Sequence, residues 1–371
     1  MRDICQLRGD EPDVNMRPAE KDSLSKLLGD LRMIQNNNVD LGHVRSQPSM
    51  RRRYILGWII VTFISLIDAF WLGLSGHSVN WASILVTCRG AAMLICLAAI
   101  LRALNGVSRY RLVTAKLHYG RVSDTAAWCA LLVCFVSATC VLSYLCVSIN
   151  APLIETRLIA FDRAFGFDWV AFYKWVQAHP YVKKAFQFSY ASGQWQLVAL
   201  PLILSLFGRR EAVSEFFFLL LIGSIYLLLI STPFPATSAF IHFNVDDPSA
   251  TATVSDFALL RNGSLQMIDI ATAQGLVSIP SFHTALAVLF TYSLRRLRLL
   301  FCIAIPLNVV MILSTPTQGG HYLADVIAGL VLSVLTVQTL NRITHRATVG
   351  STAAATFSAR TIAQAASESP L

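Results

Sequence analysis

An all-α, polytopic membrane bundle of about eight transmembrane helices is the fold class this sequence predicts. Three observations carry the prediction. Of 371 residues, 55% are hydrophobic and 14% charged, too apolar for a soluble domain that must present a polar surface. The apolar residues gather into runs of roughly twenty, the length a helix needs to cross a bilayer. Clusters of arginine recur at every second boundary between those runs, where the positive-inside rule puts cytoplasmic loops. The net charge of +9 is read the same way, as basic loops on a membrane protein, and no nucleic-acid partner is expected.

Residues 1–50 are polar and form a cytoplasmic N-terminal segment. Leu24, Leu27, Leu28, Leu31 and Ile34 recur there at helical spacing beside Lys26 and Arg32, which fits a short helix on the inner leaflet or an unattached tail. No cleavable signal peptide is visible, so the first span acts as its own insertion signal. Residues 51–124 hold two spans, 54–76 and 80–104, and a basic loop with Arg102, Arg109, Arg111, Lys116 and Arg121. Residues 125–342 hold six more: 125–149, 184–207, 215–235, 279–294, 299–316 and 320–340. An Ala/Ser/Thr-rich tail, 343–371, reads as disordered. Eight spans put both termini on the cytoplasmic side of what we expect to be the plasma (inner) membrane. Seven of the eight cysteines lie in apolar runs without Cys-x-x-Cys spacing, as small buried hydrophobes do.

Two features inside this frame invite explanation. Between 150 and 183, Phe161, Phe165, Phe167, Trp169, Phe172, Tyr173 and Trp175 alternate with charges. The segment is too polar to span and suits one or two helices lying on the outer surface, either as a lid for lipid or as an anchor. Asp68 and Arg89 lie at matched depth in the first two spans, which predicts an ion pair rather than an ion pathway.

The chemistry concentrates in residues 278–283, Ser-Ile-Pro-Ser-Phe-His, and 319–325, Gly-Gly-His-Tyr-Leu-Ala-Asp. His283 and His321 are 38 residues apart, about 57 Å of helix, or one crossing each way. Both histidines therefore return to one face, the extracytoplasmic one. Asp325 follows His321 by one helical turn, so its carboxylate can fix the His321 tautomer and leave the other ring nitrogen as nucleophile. Helix N-termini offer N–H groups to phosphate; Gly319 and Gly320 let backbone approach a ligand; Ser281 can donate to an anion. Metal binding by His283, His321 and Asp325 is the other chemical reading, and the phosphate reading accounts for more of the local sequence.

These residues carry a resemblance. Pro280-Ser281-Phe282-His283 resembles the Pro-Ser-x-His motif of the type 2 phosphatidic acid phosphatase superfamily, and His321-x-x-x-Asp325 resembles its His-x-x-x-Asp motif. The resemblance implies a six-helix phosphatase-like core within 125–342, a metal-independent phosphohistidine mechanism without cofactor, and roles for His321 as nucleophile, Asp325 as its orienter and His283 as proton donor to the leaving oxygen. Where the superfamily usually has an arginine six residues before the nucleophile, this chain has Thr315. Its usual Lys-x6-Arg-Pro motif has its nearest counterpart in 231–239, which contains no cation. That pattern resembles the branch with inositolphosphotransferases and sphingolipid synthases. Arg261 is the first replacement for the missing cations, with Arg157, Arg163 and Lys183 behind it, and Tyr190 and Gln194 are expected to line the pocket. The expected function is a lipid phosphatase or headgroup phosphotransferase with a membrane lipid as substrate. The alternative is a non-enzymatic lipid-binding or transport-related protein with a degenerate site. The lipid, the acceptor and the oligomeric state stay open.

Overall fold

The apolar runs become helices and leave almost nothing for strands. The computed structural model describes residues 50–367 apart from 108, 110–113, 115 and 248–254; the expected amphipathic stretch at 23–35 lies outside the described residues. Helices α1 (Met50–Ser75) and α2 (Trp81–Gly106) form an N-terminal hairpin, followed by α3 (Tyr119–Ser148). Two ten-residue helices, α4 (Glu155–Ala164) and α5 (Trp169–Ala178), occupy the aromatic segment. Then come α6 (Pro180–Leu206) and α7 (Arg210–Ser231), two short helices α8 (Ala239–His242) and α9 (Ser255–Arg261), and finally α10 (Phe282–Ser293), α11 (Arg298–Gln318) and α12 (Leu323–Ser367).

A helix stands at each of the eight expected span positions. Among the described residues, six are long and apolar enough to cross a membrane: α1, α2, α3, α7, α11 and the Leu323–His345 part of α12. α6 has the length, 27 residues, but Lys183, Lys184, Gln187, Gln194 and Gln196 dilute its hydropathy. α10 has 12 residues, about 18 Å of rise against a hydrocarbon core of about 30 Å. The non-helical run 273–281 continues the path beyond its N-terminus. α12 continues past the end expected near residue 340, through the stretch read as disordered; alanines there favour helix.

Helix starts follow local chemistry. Asn80, Asp168, Ser238 and Ser281 accept backbone N–H bonds as N-caps of α2, α5, α8 and α10, and Pro180 opens α6, all residue types that favour such positions. At the opposite end of the bundle from α10's start, Arg210 pairs with Asp124 at 3.2 Å and Arg295 with Glu215.

A two-residue parallel pairing ties the N-terminal hairpin to the loop before α10. Ser78 and Val79 (β1) pair with Met267 and Ile268 (β2), and Asn80 Nδ2 donates to Asp269 Oδ2 at 2.9 Å. Beneath it, Tyr144, Leu145, Phe257, Leu260, Ile268 and Leu276 form a buried cluster with Trp71 and Val79 packed against it. The expected Asp68–Arg89 pair does not form. Asp68 is buried with a carboxyl oxygen that has no partner, whereas Arg89 is exposed. Matched depth sets the height of two residues along neighbouring helices, but rotation decides whether they face each other, and here α1 turns its acid inward while α2 turns its arginine out.

Candidate active site

α11 ends where Gly319 N donates to the Thr315 carbonyl, and Gly320 then adopts φ +65°. That left-handed step turns the chain so that His321 precedes α12. A side chain is not accommodated at either glycine. A Cβ on Gly320 would collide with Ser238 Oγ, and one on Gly319 would stand 2.7 Å from both His321 Cδ2 and Tyr190 Oη. The Gly320 carbonyl is held by Ala239 N at 2.7 Å and Ser238 Oγ at 3.1 Å.

Asp325 is completely buried. Its Oδ2 accepts from Ser278 Oγ at 2.7 Å and from Tyr322 N at 3.0 Å, and lies 3.4 Å from His321 Nδ1. The ring nitrogen is slightly beyond an ordinary hydrogen bond and has no other partner. A carboxylate on the Nδ1 side assigns the proton there and leaves Nε2 with its lone pair. The Asp325 carbonyl accepts from Ser281 N at 3.0 Å, so the two sequence motifs are hydrogen-bonded to each other at the backbone.

His283 sits in the first turn of α10, its ring stacked on Tyr190 with centroids 4.1 Å apart and planes 17° apart. Tyr190 lies ten residues into α6, about 15 Å from that helix's start, so α6 extends past the site at the starts of α10 and α12. Gly193 gives the ring room, for a Cβ there would touch His283 Cδ2 and Met311 Sδ at 3.4 Å. His283 and His321 are within electrostatic reach of each other, with Tyr190 beside both. Ser281 is completely buried and its Oγ caps the Thr284 amide and receives the Thr284 hydroxyl at 3.1 Å.

A second carboxylate holds the turn from outside. Asp162, on α4 and 3% exposed, accepts from Leu323 N at 3.0 Å and Ala324 N at 2.9 Å. Burial pushes its carboxyl above the ordinary range, and the nearby Asp325 adds to this, against the two amides that pull it down. The start of α12 is thereby closed to phosphate, contrary to the expectation that both helix ends would offer free N–H groups. No acidic residue stands in the first turn of α10. On α5, Trp169 is stacked between Tyr173 and Phe243 and donates through Nε1 to the Pro316 carbonyl at 3.2 Å. Both surface helices therefore grip the histidine turn.

The structure gathers His283, His321, Asp325, Ser281, Gly320 and Tyr190 and leaves the other candidates elsewhere. Gln194 is exposed, because one step along α6 from Gly193 rotates it about 100° away. Arg261 donates to the Ala151 carbonyl at 2.8 Å and lies over the Phe257 ring. Arg157 and Arg163 are exposed, and Lys183 donates to Gln177. Sequence reasoning overlooked Asp162, Trp169 and the role of Ser278. Ser278 lay in the motif stretch itself; Asp162 has no local signal, since its partners are more than 160 residues away.

A small cavity opens on His321, lined also by Ser238, Phe257, Gly275, Leu276, Val277, Ser278 and Gly319. None of these is Lys or Arg. Among the described residues no three His, Cys, Asp or Glu side chains converge as metal ligands do. Residues 156–339 match the family model described as PAP2 superfamily. The matched segment runs from α4 into α12 and contains every residue of the constellation above, including Asp162; α1, α2 and α3 lie outside it. No curated protein and no solved structure matches the chain. Within the PAP2-matching segment, the histidine turn, its two carboxylates and the α10 start form one hydrogen-bonded unit.

Proposed function

We propose that this chain is a membrane enzyme of the PAP2 superfamily that cleaves or transfers a phosphate-linked lipid headgroup through a phosphohistidine. The observation that carries the reading is the backbone bond from Ser281 to Asp325, which brings His283 and His321 to one site with Asp325 behind the second. His321 Nε2 attacks phosphorus, and its Nδ1 proton is stabilised by the Asp325 carboxylate as the ring becomes cationic. His283 gives a proton to the departing oxygen. With a phosphomonoester substrate, water deprotonated by His283 then displaces His321 and gives free phosphate; with a phosphodiester substrate, an alcohol deprotonated by His283 displaces His321 and gives a new phosphodiester. The start of α10, where N–H groups favour an anion, has the neutral Ser281 as its cap and no acidic residue in its first turn.

The lack of Lys and Arg among the cavity-lining residues favours a phosphodiester, with one negative charge, over a terminal phosphate dianion, which calls for charge-assisted donors. Transfer is thus the preferred reaction, in keeping with the inositolphosphotransferase-like resemblance. The same lack of cations is what a degenerate lipid-binding site would display, which keeps the non-enzymatic reading in play. The site is read as extracytoplasmic, with both termini cytoplasmic. Purified protein in liposomes, given a panel of phospholipids and isoprenoid pyrophosphates without added metal, tests the proposal. Release of phosphate or formation of a new lipid that His321→Ala lacks is the expected result. Equal inertness of wild type and variant, with and without acceptor alcohols, would overturn it.

A further inference from the structure

Arg89 lies inside a membrane span and faces away from the protein. It follows Trp81, the first residue of α2, by eight positions, about 12 Å of rise into a hydrocarbon core of about 30 Å. α2 is the least buried of the six spans. Its packed side, with Ser83, Ala91 and Ala98 buried, meets α3, where Ser123 Oγ donates to the Ala98 carbonyl at 2.7 Å. Arg89 precedes Ala98 by nine positions, about half a turn round the helix, and is exposed. No hydrogen bond, ion pair or ring contact ties it to another described residue. An arginine left facing lipid at this depth is costly, and charged residues within membrane helices face protein, where they pair.

The surface around Arg89 is shaped for a helix. Ala82, Arg89, Cys96 and Ala103 recur every seven residues, with Ala92 and Ala99 beside them, and all are exposed. Small residues let a second helix backbone come close, and a seven-residue repeat keeps the seam on one partner along the whole crossing. This chain does not supply the missing charge. Within its described membrane helices, Asp68 and Asp325 are buried. Asp124, Glu211 and Glu215 lie at the end of the bundle opposite the start of α10, where Asp124 and Glu215 pair with arginines. Two copies meeting symmetrically on this face would set Arg89 near Arg89.

We propose that this side of α2 docks a membrane-spanning helix of another protein that carries an aspartate or glutamate opposite Arg89. The proposal does not depend on the enzymatic reading. The carboxylate supplies a charge-assisted bond that hydrocarbon cannot, and the small residues bring its helix near enough to make it. The turn at the Trp81 end of α2 pairs with the loop before α10, so the partner stands on a helix tied to the active-site loop.

The test uses the full chain in phosphatidylcholine vesicles with synthetic leucine–alanine transmembrane peptides, one carrying a glutamate near its centre and one without it. Energy transfer between dyes on protein and peptide reads association. The glutamate peptide should bind about tenfold more tightly than the apolar one. Arg89→Leu should abolish that difference and Arg89→Lys should keep part of it. Ala92→Phe should weaken binding of the glutamate peptide by blocking close approach. Both positions are exposed, so unchanged thermal unfolding in detergent should accompany these losses. Equal binding of both peptides by wild type, or a preference that persists in Arg89→Leu, overturns the proposal. So does a preference erased by adding phosphatidylglycerol to the vesicles, which would give Arg89 to lipid phosphate. Energy transfer between two labelled copies of the chain that Ala92→Phe abolishes would give the face to a second copy and overturn it as well. Turnover is not part of the readout, so this proposal and the enzymatic reading fail separately.

Discussion

One carboxylate oxygen of Asp325 serves the Ser278 hydroxyl, the Tyr322 amide and the His321 ring together. An amide in its place keeps one oxygen for these donors but has no negative charge to stabilise the His321 ring when it becomes cationic. Asp325→Asn is therefore expected to lower kcat by about 10²–10⁴-fold with little change in KM, as read from initial rates on the lipid panel. Gly319 tests precision at the same site. An alanine methyl would press on Tyr190 Oη, His321 Cδ2 and the Thr315 carbonyl, and the first two must move. Gly319→Ala should cost about 10²-fold in rate through misplacement of the nucleophile while the melting temperature in detergent changes little by comparison.

The surface helices α4 and α5 were expected to be a lid or an anchor, and their contacts give them a third task. Asp162 on α4 caps α12 from another part of the chain, and Trp169 on α5 holds the last turn of α11. Together they support the turn that carries His321 from both sides. Asp162→Ala leaves two amides at the start of α12 unpaired in a buried place and should destabilise the protein by about 1–3 kcal/mol. Asp162→Asn, which keeps one acceptor and removes a buried charge, should cost less. Thermal unfolding of the two variants side by side in detergent checks the order, and equal stability of Asp162→Ala and wild type would remove α4 from this role.

Across the whole molecule, the N-terminal hairpin reaches the site through the turn between α1 and α2. Strand β1 pairs with β2, Asn80 binds Asp269, and the cluster beneath contains Phe257 and Leu276, which line the His321 cavity. Bonds from the Ala271 amide and Asn80 hold the Asp269 carboxyl below its ordinary value of 3.8. A carboxyl with a depressed folded pKa stabilises above its unfolded value, and that contribution is lost as pH falls through the folded value. Hydrogen exchange of residues 76–80 and 266–270 should therefore be slowest above about pH 4 and accelerate on further acidification, after correction for intrinsic exchange. Asp269→Asn should flatten that dependence.

The chain's sequence by itself determined the membrane bundle, the helix order, and the association of His283, His321 and Asp325. Run length and composition decide whether a segment can span a bilayer, and a hairpin of known length returns its ends to one face, so these features are local. Ser281, Tyr190 and Gly320 were legible as well, because each lies in or beside a motif at a readable depth. Tertiary structure alone decided the facing of side chains and the pairing of distant segments. It turned Gln194 outward, gave Arg261 to a backbone carbonyl, separated Asp68 from Arg89, and brought Asp162 to the start of α12. Depth along a helix is written in the spacing of residues, but rotation about its axis and contacts across 160 residues depend on how every neighbouring helix packs.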